Sequence, residues 1–171
     1  MKKIYVTTLA LIMVGALAGC GKKEKKEEAD PTAAVRDDVV EFVDTEFKTI
    51  RTDWDEAVSE YNMFFTGDMK DSKQFAADLK ATTIPKMDKF LTNLEACDVE
   101  TSEAVYLKSL FQLGAEKQRE AMEMVVSAIE EENSDYLTQA DALIAEANGY
   151  LESFNTQLEQ LSKDFNFTIN E

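Results

Sequence analysis

DYLTQADALIAEANGYLESFNTQLEQLSKDF, residues 135–165, decides the fold. Leu137, Ala140, Ile144, Ala147, Leu151, Phe154, Leu158, Leu161 and Phe165 recur at alternating steps of three and four. That is an uninterrupted 3.5-residue repeat, the seam along which left-handed helix pairs pack. A helix of this length with one apolar seam must bury it against other helices. The small residues Ala140 and Ala147 lie toward its N-terminal half, and the bulky ones crowd the C-terminal half.

Working back along the chain, the same kind of pattern repeats three more times. Residues 100–132 place Leu107, Leu110, Phe111, Leu113, Gly114, Ala121, Met122, Val125, Ala128 and Ile129 on one stripe, with Asp98 or Thr101 as the cap. Gly114 costs about 1 kcal/mol against alanine in a helix, which predicts a neighbouring helix in close approach. Asn133-Ser134 reads as a tight junction, with Ser134 capping the last helix. Residues 73–97 carry Phe75, Leu79, Ile84, Met87, Leu91 and Leu94, with Phe90 beside them and Ser72 as the N-cap. Pro85 removes a backbone donor inside this span, so a kink is expected there, or two short helices meeting at Thr83-Ile84. Residues 34–66 carry Val35, Val39, Phe42, Val43, Phe47, Ile50, Trp54, Val58, Tyr61, Phe64 and Phe65, ending at Gly67 as a C-terminal cap. No useful length alternates with period two. The prediction is an all-α, antiparallel, up-down-up-down four-helix bundle over residues 33–171.

Two segments precede the bundle. Gly21 to Pro31 has no large apolar residue and reads, within residues 20–32, as a solvated tether. Before it, Met1-Lys2-Lys3 gives a positive start, and the apolar run Ile4 to Leu17 is too short to span a bilayer comfortably. The run ends in Leu17-Ala18-Gly19-Cys20. This is the profile of a secretory signal over residues 1–19. Its last four residues resemble the lipobox of bacterial lipoproteins. The resemblance implies cleavage before Cys20 and a diacylglyceryl group on its thiol. The expected mature protein is extracytoplasmic and held at the cell membrane by that lipid, without a spanning helix.

Composition narrows the function. The chain has 18 basic and 34 acidic residues and a net charge of −16. Removal of residues 1–19 takes away two lysines and leaves the mature chain at −18. Such a chain lacks the cationic surface that nucleic acid requires and favours cationic ligands or basic partners. Histidine is absent, which excludes Ser-His-Asp triads, Cys-His dyads and Glu-x-x-His di-iron sites. With Cys20 lipidated, Cys97 has no partner within the chain and reads as a small buried hydrophobe; the other reading is a reactive thiol or an intermolecular disulfide.

The remaining features each have a structural and a functional reading. Glu130-Glu131-Glu132 and Asp135 form an acidic corner: a solvated turn, or a Ca²⁺ site lacking the Asp-x-Asp-x-Asp-Gly loop. Glu116, Glu120 and Glu123 share a helix face that reads as solvated. Trp54, between Asp53 and Asp55, is in phase with its stripe and reads as core with its N–H satisfied; a ligand-stacking role is the alternative. Phe64 to Met69 are expected to share one end of the bundle with Phe167 and Ile169, as an exposed partner patch or a patch covered by the tail. These features predict a non-enzymatic module that binds an envelope protein, a wall polymer or a cationic ligand, with no cofactor or metal. The alternative is a structural or regulatory accessory protein acting through helix–helix contact, including as a homo-oligomer. A carboxylate enzyme would need two acids facing each other in a cleft, with Asp53 and Asp55 the first candidates.

Overall fold

The structure, a computed structural model, describes residues 30–66 and 71–169, except for the side chain of Phe64. Cys20, the signal, the tether up to residue 29, Gly67 and Met69 lie outside those residues. The fold is all-α, with four helices and no strand among the described residues. Helix α1 covers 31–66, α2 covers 72–96, α3 is Ser102–Glu130 and α4 is Asp135–Asp164.

Helix α1 begins at Pro31, within the stretch read as tether. Asp30 caps it by accepting from the backbone N–H of Thr32 at 3.0 Å, and Pro31 occupies the first turn, where its missing N–H costs nothing. A wider π-helical segment, Glu41–Phe47, interrupts the helix. Each π turn takes one residue more than an α turn and resets the phase of the buried face. Within it Phe42, Val43 and Phe47 are all buried.

Helix α2 is capped by Asp71, one residue before the predicted Ser72; its carboxylate accepts from Lys73 and Gln74 N–H at 2.9 and 3.2 Å. Pro85 is accommodated by a second π-helical stretch, Leu79–Thr83, ahead of the α-helical Ile84–Ala96. The wider turn spaces the carbonyls away from the proline ring. At the far end, Lys108 Nζ donates to the carbonyls of Glu95 and Cys97 at 2.7 and 2.6 Å, closing orphan acceptors of the helix.

Thr101, of the two residues considered, caps α3. The Asp38 carboxylate of α1 adds a second cap. It accepts from Thr101 N–H at 2.7 Å and from the Thr101 hydroxyl at 2.6 Å. A negative charge there complements the positive end of the α3 dipole. Ser134 makes no side-chain cap for α4; Asn133 Oδ1 accepts from Asp135 N–H at 3.0 Å instead. The junction works because Glu132 turns left-handed at φ 54° and Asn133 N–H reaches back to Ala128 O at 3.0 Å. Asn166 repeats the device at the end of α4, with φ 52° and a Phe167 N–H to Ser162 O bond at 3.1 Å.

Every residue of the α4 seam is buried or partly buried. The seam packs chiefly on α3, and Gly114 marks a point of close approach. A Cβ placed there would sit 3.0 Å from Leu151 Cδ2 and 3.3 Å from the Ala147 carbonyl oxygen. At the centre lies an aromatic cluster. Phe47 meets Phe111 at 4.5 Å between ring centroids, and Phe111 meets Phe154 and Trp54 at 5.2 Å each. Edge-on pairs of this kind contribute about 0.5–1.5 kcal/mol each beyond their burial.

Two stripe assignments fail. Phe65 is 53% exposed and stacks on Tyr61, and Leu113 is 38% exposed. Both lie next to the true buried positions, Tyr61 and Gly114, at the edge of their stripes.

Candidate functional site

Ion pairs tie neighbouring helices together. Asp53 meets Lys89 at 2.8 Å, while Glu56 and Glu60 meet Lys86 at 2.8 and 2.5 Å. Between α2 and α3, Lys80 pairs with Glu130 at 2.8 Å and Asp88 with Arg119. Between α3 and α4, Lys117 reaches Glu146 at 3.7 Å. No ion pair joins α1 to α4 in the described part. These two helices stand apart, and a groove opens between them.

The groove holds two adjoining cavities. The wider, about 430 Å³, is lined by Val43, Phe47, Lys48, Arg51, Phe154, Asn155, Leu158 and Ile169. The narrower, about 200 Å³, continues inward along Phe47, Arg51, Trp54, Phe111, Leu151, Phe154 and Asn155. The wider one falls in the size range of small-molecule sites, which are mostly apolar with a few placed polar groups. Its floor is the face of the aromatic cluster. The π-helical segment of α1 presents Val43 and Phe47 to it, while α4 presents Phe154 and Leu158 from its seam.

Charge sets this groove apart. Among the described residues neither cavity is lined by a carboxylate, although acids outnumber bases 34 to 18 in the chain. Lys48 and Arg51 edge it instead. Three other surface cavities each carry two acids: Glu60 and Asp78, Glu41 and Glu46, and Glu130 and Glu132. Arg51 pairs with Asp55 at 3.2 Å, both half-exposed, and its guanidinium carbon lies 6.0 Å from the Trp54 ring centroid. Such an exposed pair is weak and readily exchanged for another anion.

Trp54 packs against the core with its N–H satisfied and also lines the inner cavity. Its indole N–H donates to Gln118 Oε1 at 2.6 Å, and Gln118 is buried, so the polar edge is satisfied inward. The ring packs on Phe111 and lines the inner cavity. Asp53 and Asp55, its neighbours, face Lys89 and Arg51 rather than each other.

Other predicted features are placed as follows. Cys97 is buried beside Glu46 and Lys108, and its Sγ–H lies 3.4 Å from Asn93 O. Desolvation raises its thiol pKa to about 11, helped by the Glu46 carboxylate and opposed by Lys108. In the acidic corner, Glu130 is held by Lys80, and Glu131 accepts from the Tyr136 hydroxyl at 3.3 Å. Among the described residues no three acidic or thiol side chains converge as a metal site. On the α3 face Glu120 pairs with Lys117, Glu123 with Arg119, and Glu116 accepts from Gln112. The patch expected from Phe65 and the tail is split. Ile169 lines the wider cavity together with Val43 and Phe47, and Phe47 is 18 helical residues from Phe65, or about 27 Å at 1.5 Å per residue. Phe65 therefore lies at the C-terminal end of α1, and Ile169 lies near its middle.

No helix among the described residues is long and apolar enough to cross a membrane. Comparison of the chain with protein-family models, with curated proteins and with solved structures finds no match to any of them.

Proposed function

We propose that this chain is a lipid-anchored binding protein of the bacterial cell envelope, acting by ligand capture in the α1–α4 groove and not by catalysis. The anchor rests on Leu17-Ala18-Gly19-Cys20 after a short apolar run. Two or three acyl chains on Cys20 would hold the mature chain firmly, since each buried CH₂ contributes about 0.8 kcal/mol. The observation that carries the binding reading is the groove itself: an aromatic trough with two cations on its edge and no carboxylate among its described lining residues, in a chain where acids outnumber bases 34 to 18.

Two measurements test this. Intact-mass analysis of protein from its own host should find residue 20 at the N-terminus carrying lipid, and an unmodified residue 20 contradicts the anchor. Fractions of host envelope extract, screened by thermal shift, should contain one that stabilises the wild-type chain and not Asn155→Trp. Asn155 is exposed and lines both cavities, so the larger ring fills the groove without entering the core. Equal stabilisation of both proteins by every active fraction contradicts the site.

A second reading, helix–helix association, is favoured by one observation. Val105, Tyr106 and Leu113 are exposed on α3 by 48, 51 and 38%. Sedimentation of the mature chain with and without Tyr106→Glu tests it: a dimer dissociated by the substitution supports association, and a monomer in both cases ends it.

A further inference from the structure

The chemistry of the groove narrows its ligand. The proposal rests on the reading of the α1–α4 groove as a binding site and names the class of molecule it takes. We propose that it binds a single-chain amphiphile with an anionic head, the hydrocarbon lying on Phe47 and Phe154 and the head held by Lys48 and Arg51.

Three features lead there. The cavity surface is mostly apolar side chain from both walls, running from Leu158 and Ile169 inward to Trp54. A hydrocarbon chain buries that surface without bringing polar groups of its own. A peptide does not fit as well, because its buried N–H and C=O groups need partners and Asn155 is the one uncharged polar side chain among the described residues lining the groove. A second copy of this chain is disfavoured by charge, each mature copy carrying −18.

The head is set by the cations. Lys48 and Arg51 are three residues apart on one helix and share a face. They edge the wider cavity, where the head of a ligand would meet solvent. Arg51 already binds one carboxylate, Asp55, in an exposed and exchangeable pair. A ligand head can take that place through the guanidinium fork, which matches carboxylate and phosphate alike.

Trp54, the only tryptophan, lines the inner cavity and serves as the reporter. The mature chain, residues 20–171 with Cys20→Ser, is titrated below micelle formation with laurate, dodecyl phosphate, dodecyl maltoside and dodecyltrimethylammonium. Trp54 emission is followed, and calorimetry gives the stoichiometry. One ligand per chain is expected. Laurate or dodecyl phosphate should bind at least about 10-fold more tightly than the neutral and cationic chains, the size of one charge-assisted contact. Whichever of the two anions binds more tightly identifies the head. Lys48→Gln with Arg51→Gln should bring the anionic chains down to the neutral one and leave the neutral affinity unchanged. Both side chains are on the surface, and circular dichroism verifies that the variant is folded.

Neutral or cationic chains binding as tightly as anionic ones would overturn the assignment of the head while leaving the groove as a site. No binding by any of the four, with an envelope fraction still active on wild type and silent on Asn155→Trp, overturns the amphiphile and keeps the reading it rests on. Unchanged affinity in Asn155→Trp overturns both.

Discussion

Two glycines on neighbouring helices give opposite answers to the same substitution. Gly149 sits in the exposed interior of α4, and a Cβ there meets nothing within 4 Å. Gly149→Ala therefore collects the helix-propensity gain alone, about 0.8–1 kcal/mol. Gly114 sits in α3, where a Cβ would lie 3.0 and 3.1 Å from Leu151 Cδ2 and Cγ and 3.3 Å from Ala147 O. Leu151 can rotate; the Ala147 carbonyl moves only with α4. Overpacking of this kind costs about 1–3 kcal/mol. Set against the same propensity gain, Gly114→Ala should be between neutral and about 2 kcal/mol destabilising. For a domain near 140 residues each kcal/mol moves the midpoint by about 3–4 °C, so the two variants should differ by roughly 3–10 °C. Urea unfolding by far-UV circular dichroism gives the free energies. Leu151→Ala added to Gly114→Ala removes the flexible half of the clash, and the double variant should be more stable than the sum of the singles by about 0.5 kcal/mol or more. Gly114→Ala as stabilising as Gly149→Ala would refute the close packing of α3 on α4.

Other expectations concern single contacts. Leu161, 3% exposed, should cost about 2–5 kcal/mol on change to Ala. Trp54→Phe should cost about 1–3 kcal/mol by orphaning the buried Gln118 carbonyl, and Gln118→Leu in that background should recover part of it, both measured by urea unfolding. Cys97, with its thiol pKa raised to about 11, should react slowly with a disulfide reagent at neutral pH and rapidly once urea unfolds the chain. Burial, and secondarily Asp141, raises the Tyr61 phenol from 10.0 to about 12. The folded state thus holds a proton the unfolded chain releases. This contribution to stability is full below pH 10 and is lost as pH rises toward 12, which urea midpoints across that window will show.

The helices were legible because burial imposes a period, and that period survives in Leu137 to Phe165 whatever surrounds it. Gly114 was legible too, since a glycine inside a helix needs a reason. The π-helical segments were not: Val39, Phe42, Val43 and Phe47 keep spacings of three and four that an ordinary helix also satisfies. Local patterns place a residue on a face but not on an end of the molecule. The sequence pattern groups Ile169 with Phe65, whereas Ile169 lines the wider cavity with Val43 near the middle of α1. The groove escaped for a related reason. A stripe says which side of a helix turns inward, and the distance between two such helices depends on all four. Nothing in the sequence marks Lys48 and Arg51 as the edge of a cavity that no described carboxylate lines. The acidity of the chain pointed to cationic ligands, whereas the α1–α4 groove is edged by Lys48 and Arg51.

Two-dimensional NMR of the labelled mature chain, titrated with laurate, tests the central claim most directly. Resonances of Val43, Phe47, Arg51, Phe154, Asn155 and Leu158 should shift together and saturate with one ligand per chain. Shifts centred on the Glu60–Thr83 cavity or on Val105, Tyr106 and Leu113, with the groove resonances unmoved, would contradict it.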